Sequence, residues 1–230
     1  MTSHNYVSEP AVARERRSTA TWTARALIAG PLAVVAGGIA WSFVGREPSS
    51  FAGMVRYFAD NYSAFMASNM IRLVGSALVV PFGAALISIG GRRQRLRQAA
   101  GILVALGAVL TLYQTGIDVG LATTAHRMQD LGRLDAFIAD IKPHAGTPFI
   151  MAPIFSAQIA LTLGLLLAGI SFWNHERAGR LVPTALVAGT VVEAVGGTIG
   201  RPPIFALGAV LVLVGATTVA RQLTRPAPRG

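Results

Sequence analysis

The sequence predicts an all-α fold, a polytopic membrane helical bundle with six transmembrane helices and two amphipathic interfacial helices on its outer face. Three observations predict it. Of the 230 residues 53% are hydrophobic and the mean hydropathy is +0.54, more apolar side chain than a soluble domain of this length buries. Six separate runs are long enough to cross a hydrocarbon core of about 30 Å, which takes about 20 helical residues. The basic residues fall mainly between these runs and gather on alternate connections, as the positive-inside rule requires.

The runs are Ala26–Gly45, Asn69–Gly90, Ala99–Ala122, Pro148–Trp173, Leu181–Gly200 and Pro203–Ala220. Ala, Leu, Val and Gly carry the apolar load and aromatics are only 7%, the composition of helices whose small residues let backbones approach. The first run is not a cleavable signal: "GREPSSF" after it offers no small-residue cleavage site. Residues 1–23 read as a mobile cytoplasmic tail, 24–221 as the membrane domain and 222–230 as a second cytoplasmic tail.

Orientation follows from the arginines. One side holds Arg14, Arg16, Arg17 and Arg25, then Arg92, Arg93, Arg95 and Arg97, then Arg177 and Arg180, then Arg221, Arg225 and Arg229, 13 of the 20 basic residues. The other holds Arg46, Arg56, Arg72, Arg127, Arg133, Lys142 and Arg201, mixed with Glu47, Asp60, Asp130, Asp135 and Asp140. Both termini are therefore expected in the cytoplasm, with the chain in the cell (inner) membrane as a multi-pass protein. The net charge of +10 finds its explanation in topology, and no nucleic-acid partner is expected.

Two outer connections look helical. In "SSFAGMVRYFADNY", Phe51, Met54, Val55, Phe58 and Tyr62 recur at helical spacing after Ser49 or Ser50 as N-cap. In "HRMQDLGRLDAFIADIKP", Met128, Leu131, Leu134, Phe137, Ile138 and Ile141 do the same until Pro143. Such helices lie in the headgroup plane and either seal the bundle or act as a lid over an outward cavity.

Polar residues within the spans point to a site. Glu193 is the single charge between Leu181 and Gly200 and lies roughly 18 Å up the fifth span, past the midplane. Its neighbours Gly189 and Gly197, each four residues away, let a helix come close and direct the carboxyl into the bundle. At this depth a bare carboxylate is costly, so the acid is expected protonated or paired. Thr111, Gln114, Thr115 and Asp118 share one face of the third span, with Asp118 roughly 29 Å up and within "GIDVG". Asn69, Arg72 and Ser76 form a stripe on the second span, and Arg72 falls near the level of Asp118 as a candidate ion-pair partner. The fourth span adds Ser156 and Gln158, and the first adds Trp41 and Ser42. These residues meet in the outer half, while the inner half is almost wholly apolar.

The candidate catalytic pair is Glu193 and Asp118, with Arg72, Gln114, Gln158, Trp41, Asn69 and Tyr113 as binding residues. Trp41, Tyr113, Phe149, Phe155 and Phe205 are the aromatics available to wall the site. Cysteine is absent, so thiolate catalysis and cysteine metal sites are excluded. His126 and Asp130 lie one helical turn apart without a third ligand, and no glycine-rich phosphate loop is present. Neither metal nor cofactor is expected.

The stretch "VRYFADN…RLVGSALVVPFGAALISIGGRR" resembles a group of uncharacterised actinobacterial multi-pass membrane proteins, in which an amphipathic loop precedes a "PFGAAL"-like segment and a basic turn. That likeness covers about the first half of the chain and implies no activity. In outline the buried carboxylates resemble those of small membrane-bound terpene cyclases, an analogy without matching motif residues. Three functions follow: an intramembrane acid–base enzyme, cyclase- or isomerase-like, on a lipid-soluble and perhaps isoprenoid-class substrate; a proton-coupled permease; or an accessory subunit whose polar residues only lock helices. The expected partners are membrane lipid, a lipophilic small molecule, and further copies or other subunits in a homo- or hetero-oligomer.

Overall fold

The computed structural model describes residues 9–44, 48, 50–89, 91–173 and 179–224, with side chains from Ser18 onward except at 44, 148–150 and 223. His4, Gly45, Arg46, Glu47, Ser49, Gly90, His175, Arg177, Arg225 and Arg229 lie outside the described residues, as do the side chains of Arg14, Arg16, Arg17 and Phe149. Among the described residues eight α-helices form: α1 Glu9–Val44, α2 Phe51–Asp60, α3 Tyr62–Ser88, α4 Gln94–Asp130, α5 Leu134–Ile141, α6 Pro148–Ser171, α7 Leu181–Thr198 and α8 Pro202–Thr224. Six of them, α1, α3, α4, α6, α7 and α8, are long and apolar enough to cross a membrane. The fold is an all-α polytopic bundle.

Several helices outrun the apolar runs. Helix α1 is helical from Glu9, so residues 9–23, expected as part of a mobile tail, continue the first span; Pro10 sits at its start, where a missing N–H costs nothing. Helix α4 continues through His126 and Met128 to Asp130, so the second amphipathic segment is not one helix. Gly132, at φ +66°, breaks it, and only Leu134–Ile141 forms α5, followed by a 3-10 turn over Lys142–His144 that contains Pro143. Helix α2 forms as the spacing requires, and Ser50 caps it by accepting a bond from the Gly53 N–H at 3.1 Å.

The six long helices close into a ring. α1 packs on α3, α3 on α4, α4 on α6, α6 on α7, α7 on α8, and α8 returns to α1. Glycines set these approaches. A Cβ on Gly101 of α4 would run into the Gly83 carbonyl oxygen of α3, and one on Gly107 would meet Leu161 of α6. Between α7 and α8, Gly189 lies against Gly208, and Gly196 against Phe205. Gly116 and Gly120, which flank Asp118, instead face open space, so no helix packs on that pair.

The two ends of the ring differ. At the arginine-rich end, a cluster containing Leu27, Leu86, Ala100, Ala168, Phe172 and Leu186 fills the interior. Arg97 is 1% exposed there and donates from Nε to the Ile89 carbonyl at 3.0 Å and from Nη1 to the Ser171 carbonyl at 3.4 Å. Those carbonyls end α3 and α6, where helices leave acceptors unpaired and favour a cation. The Phe172 ring lies 5.6 Å below the guanidinium. The arginine count assigned Arg97 to topology alone; it is a clamp across two helix ends. At the opposite end α2 and α5 pack on α4 and on each other, burying Val55, Ala59, Ala125 and Ile138, with an Arg56–Asp135 ion pair at 2.8 Å outside.

Replacing Arg97 by Leu leaves the Ile89 and Ser171 carbonyls without their donor. An unsatisfied buried acceptor costs about 1–3 kcal/mol, so thermal unfolding of the purified variant should move to clearly lower temperature. An unchanged midpoint would show that the clamp adds nothing.

Candidate functional site

A cavity of about 960 Å³ lies inside the ring. Its floor is apolar, formed by Val79 and Phe82 of α3, Val104 of α4, Leu165 of α6 and Val212 of α8. Its roof is Phe51, Met54 and Phe58 of α2, with Ile141 at the end of α5 and His144 in the turn after it. Between them five helices contribute polar or amphipathic side chains: Trp41 from α1, Asn69, Arg72 and Ser76 from α3, Thr111, Gln114 and Asp118 from α4, Gln158 and Thr162 from α6, and Thr190 and Glu193 from α7. Helix α8 offers Phe205, Ala209 and Val212, and is apolar.

Seven of the eight residues singled out from the sequence line this cavity: Glu193, Asp118, Arg72, Gln114, Gln158, Trp41 and Asn69. Tyr113 does not. It is 46% exposed on the outside of α4, because one residue along a helix turns about 100° away from the face that Gln114 occupies. Other polar residues grouped with the site also fall elsewhere. Thr115 is fully buried and donates to the Thr111 carbonyl at 2.8 Å, Ser42 is exposed and donates to the Gly38 carbonyl at 2.9 Å, and Ser156 is exposed. Phe155 is 59% exposed. The aromatic wall consists of Trp41 edge-on to Phe205, with centroids 5.8 Å apart, together with Phe51, Phe58, Phe65 and Phe82. The sequence reading put Phe51 and Phe58 on the apolar face of the first outer helix and did not single out Phe65 or Phe82; nothing in their spacing distinguishes a cavity wall from a core.

The polar groups differ in how they are satisfied. Arg72 Nη1 and Asp118 Oδ2 form the expected ion pair at 3.5 Å. Asn69, 4% exposed, donates from Nδ2 to the Phe65 carbonyl at 2.9 Å, but its Oδ1 is buried and accepts nothing. Glu193, Gln114 and Gln158 have no hydrogen-bond or ion-pair partner among the described residues. Buried polar groups in proteins are nearly always satisfied, so the unmet Asn69 Oδ1, beside the less deeply covered Glu193, Gln114 and Gln158, marks a place where a ligand or water completes the bonding.

Glu193 is positioned by its backbone. A Cβ on Gly208 of α8 would strike the Glu193 nitrogen and Cα, so α8 approaches as closely as a glycine permits and Glu193 takes its place on the cavity wall. The expected glycine–acid–glycine stripe is divided in the structure: Gly189 meets α8, while Gly197 faces Gln158 of α6. His126, the candidate metal ligand, stacks on Tyr62 with centroids 4.4 Å apart and lies outside the cavity lining. Among the described residues no three His, Cys, Asp or Glu side chains cluster at metal-binding distances.

No protein-family model matches the chain, and no curated protein or solved structure does either. The site therefore has to be read from its own chemistry. An acid without a partner faces the same hollow as a carboxylate held beside a guanidinium, within apolar and aromatic walls.

Two substitutions separate position from charge. Gly208→Val drives a side chain into the backbone of α7 and should lower stability by about 1–3 kcal/mol. Asp118→Asn breaks an ion pair whose side chains are 42% and 23% exposed, and surface-type pairs of that kind contribute roughly 0–1 kcal/mol, so its stability should stay near wild type. Equal losses in thermal unfolding would contradict this ordering.

Proposed function

We propose that the protein is an intramembrane enzyme of the acid–base type, acting on a lipid-soluble substrate held in the ring. The observation that carries this reading is Glu193, an acid with no partner in the described structure, on the wall of a roofed hollow that it shares with Asp118. Glu193 acts as the acid and transfers its proton to an alkene carbon or an oxygen of the substrate. Asp118, ion-paired with Arg72, stabilises the positive charge that develops and accepts the proton released afterwards. Such a sequence returns the net proton count to its start and suits a cyclisation or an isomerisation, of an isoprenoid among other lipids. Trp41 and Phe205 present aromatic faces and edges to that charge.

The arginine distribution places the roofed end outside the cell membrane and both termini in the cytoplasm in this proposal. The packed floor and the Arg97 clamp speak against a carrier, which needs a polar route to both sides. One observation favours the reading as an assembly subunit: Gly116 and Gly120 face open space, where a partner helix would fit.

The test compares wild type with Glu193→Gln, an isosteric change that removes the acid. Both proteins are expressed at equal level in one host and the extracted lipids are profiled by mass spectrometry. The wild type should generate a rearranged lipid whose yield falls by about 10²-fold or more in the variant. Identical profiles from the two proteins would sink the catalytic reading. Stoichiometric co-purification of a larger membrane partner would favour the subunit.

A further inference from the structure

The ring is not equally tight all round. The α6–α7 seam is the most sparsely packed of the six. Gly169, Thr162 and Phe155 stand seven residues apart and share one stripe of α6. Gly169 touches Val187 and Leu186 of α7, Thr162 lines the cavity, and Phe155 is 59% exposed. On α7 the matching stripe behaves alike: Val187 meets Gly169, while Ala194, seven residues on, lines the cavity. The helices therefore touch near the arginine-rich end, and above it both stripes turn to the cavity. At the level of Gly197 the Gln158 amide reaches back across the gap. The stretch of seam between Gly169 below and Gln158 above, where Thr162 and Ala194 both line the cavity, is the candidate window.

The groups inside define what passes through. Asn69 Oδ1 is a buried acceptor awaiting a donor. Gln114 and Gln158 offer amides without a partner among the described residues, and the one arginine at this level, Arg72, is already paired with Asp118. A phosphate headgroup would find no uncommitted arginine to receive its charge and no donor for Asn69 Oδ1; a hydroxyl satisfies the acceptor without adding charge. The apolar floor below suits a hydrocarbon chain.

We propose that the cavity is loaded sideways from the bilayer through the α6–α7 window, with Gln158 as its latch, and that its occupant is a neutral lipid bearing a hydroxyl head. The head donates to Asn69 Oδ1, and the chain lies over the floor or out through the window. This rests on the reading of the hollow as a lipid site but not on the chemistry assigned to Glu193.

The experiment uses the full chain in nanodiscs containing a diazirine-bearing diacylglycerol or the matching phosphatidic acid. Diacylglycerol should photolabel α6 and α7 about tenfold more than phosphatidic acid, and Asn69→Leu should lower that labelling about tenfold, the loss of one buried hydrogen bond. Asn69→Asp, which keeps the acceptor, should retain it. Because the chain has no cysteine, Thr162→Cys with Ala194→Cys can be bridged by a cleavable bis-maleimide. Bridging before the probe is added should block labelling, and cleavage should restore it. Equal labelling by the two probes overturns the headgroup assignment, and labelling unchanged by the bridge overturns the window. Labelling as expected, with lipid profiles indifferent to Glu193→Gln, would retain this inference and sink only the catalytic one.

Discussion

The bundle depends on backbone-to-backbone approach at glycine. Between helices in lipid there is no hydrophobic force to draw apolar faces together, so packing has to supply the attraction, and packing is greatest where side chains are smallest. Gly83 against Gly101, Gly107 against Leu161 and Gly208 against Glu193 bring successive helices into direct contact. Tight contacts along the circumference hold six helices in a ring instead of letting them collapse on one centre. The hollow is a consequence of that closure. So is the position of Glu193, whose main chain sits against Gly208 and whose side chain belongs to the cavity wall.

Polarity is then sorted along the ring axis. Arg97 occupies the arginine-rich end and satisfies itself on carbonyls that end α3 and α6, making a charged residue part of a seal. Above the apolar floor the situation reverses: Glu193, Gln114, Gln158 and Asn69 Oδ1 lack partners among the described residues. A membrane interior tolerates unmet polar groups only where they face protein, water or a ligand. Satisfied charge at one end and unsatisfied polarity in the middle is the signature of a binding site closed on one side.

Much of this was legible in the residues. Six apolar runs gave six membrane-length helices, and helical depth alone grouped Glu193, Asp118, Arg72, Gln114, Gln158, Asn69 and Trp41, which do line one cavity. Depth is readable because the rise per residue is fixed. Azimuth is less so. Tyr113, expected as a wall aromatic, faces outward, and Thr115, expected on the face of Gln114, lies in the packed core. The break at Gly132 was missed because apolar spacing continues across it; only the left-handed backbone of that glycine ends α4. Arg97 escaped notice because an arginine at a span end looks alike whether it meets water or clamps two helices. The sparse packing of α6 on α7 leaves no trace in sequence, since it depends on which glycines find a partner.

The central claim is that the ring is hollow and that Glu193 faces the hollow. A high-resolution density map of the protein in a lipid nanodisc measures this directly. The account predicts elongated density above the floor of Phe82 and Val104, reaching Glu193 and Asn69, with α6 and α7 apart above Gly169. Helices α6 and α7 packed along their whole length, with the Glu193 carboxyl bonded to a neighbouring helix and no space beside it, would contradict it.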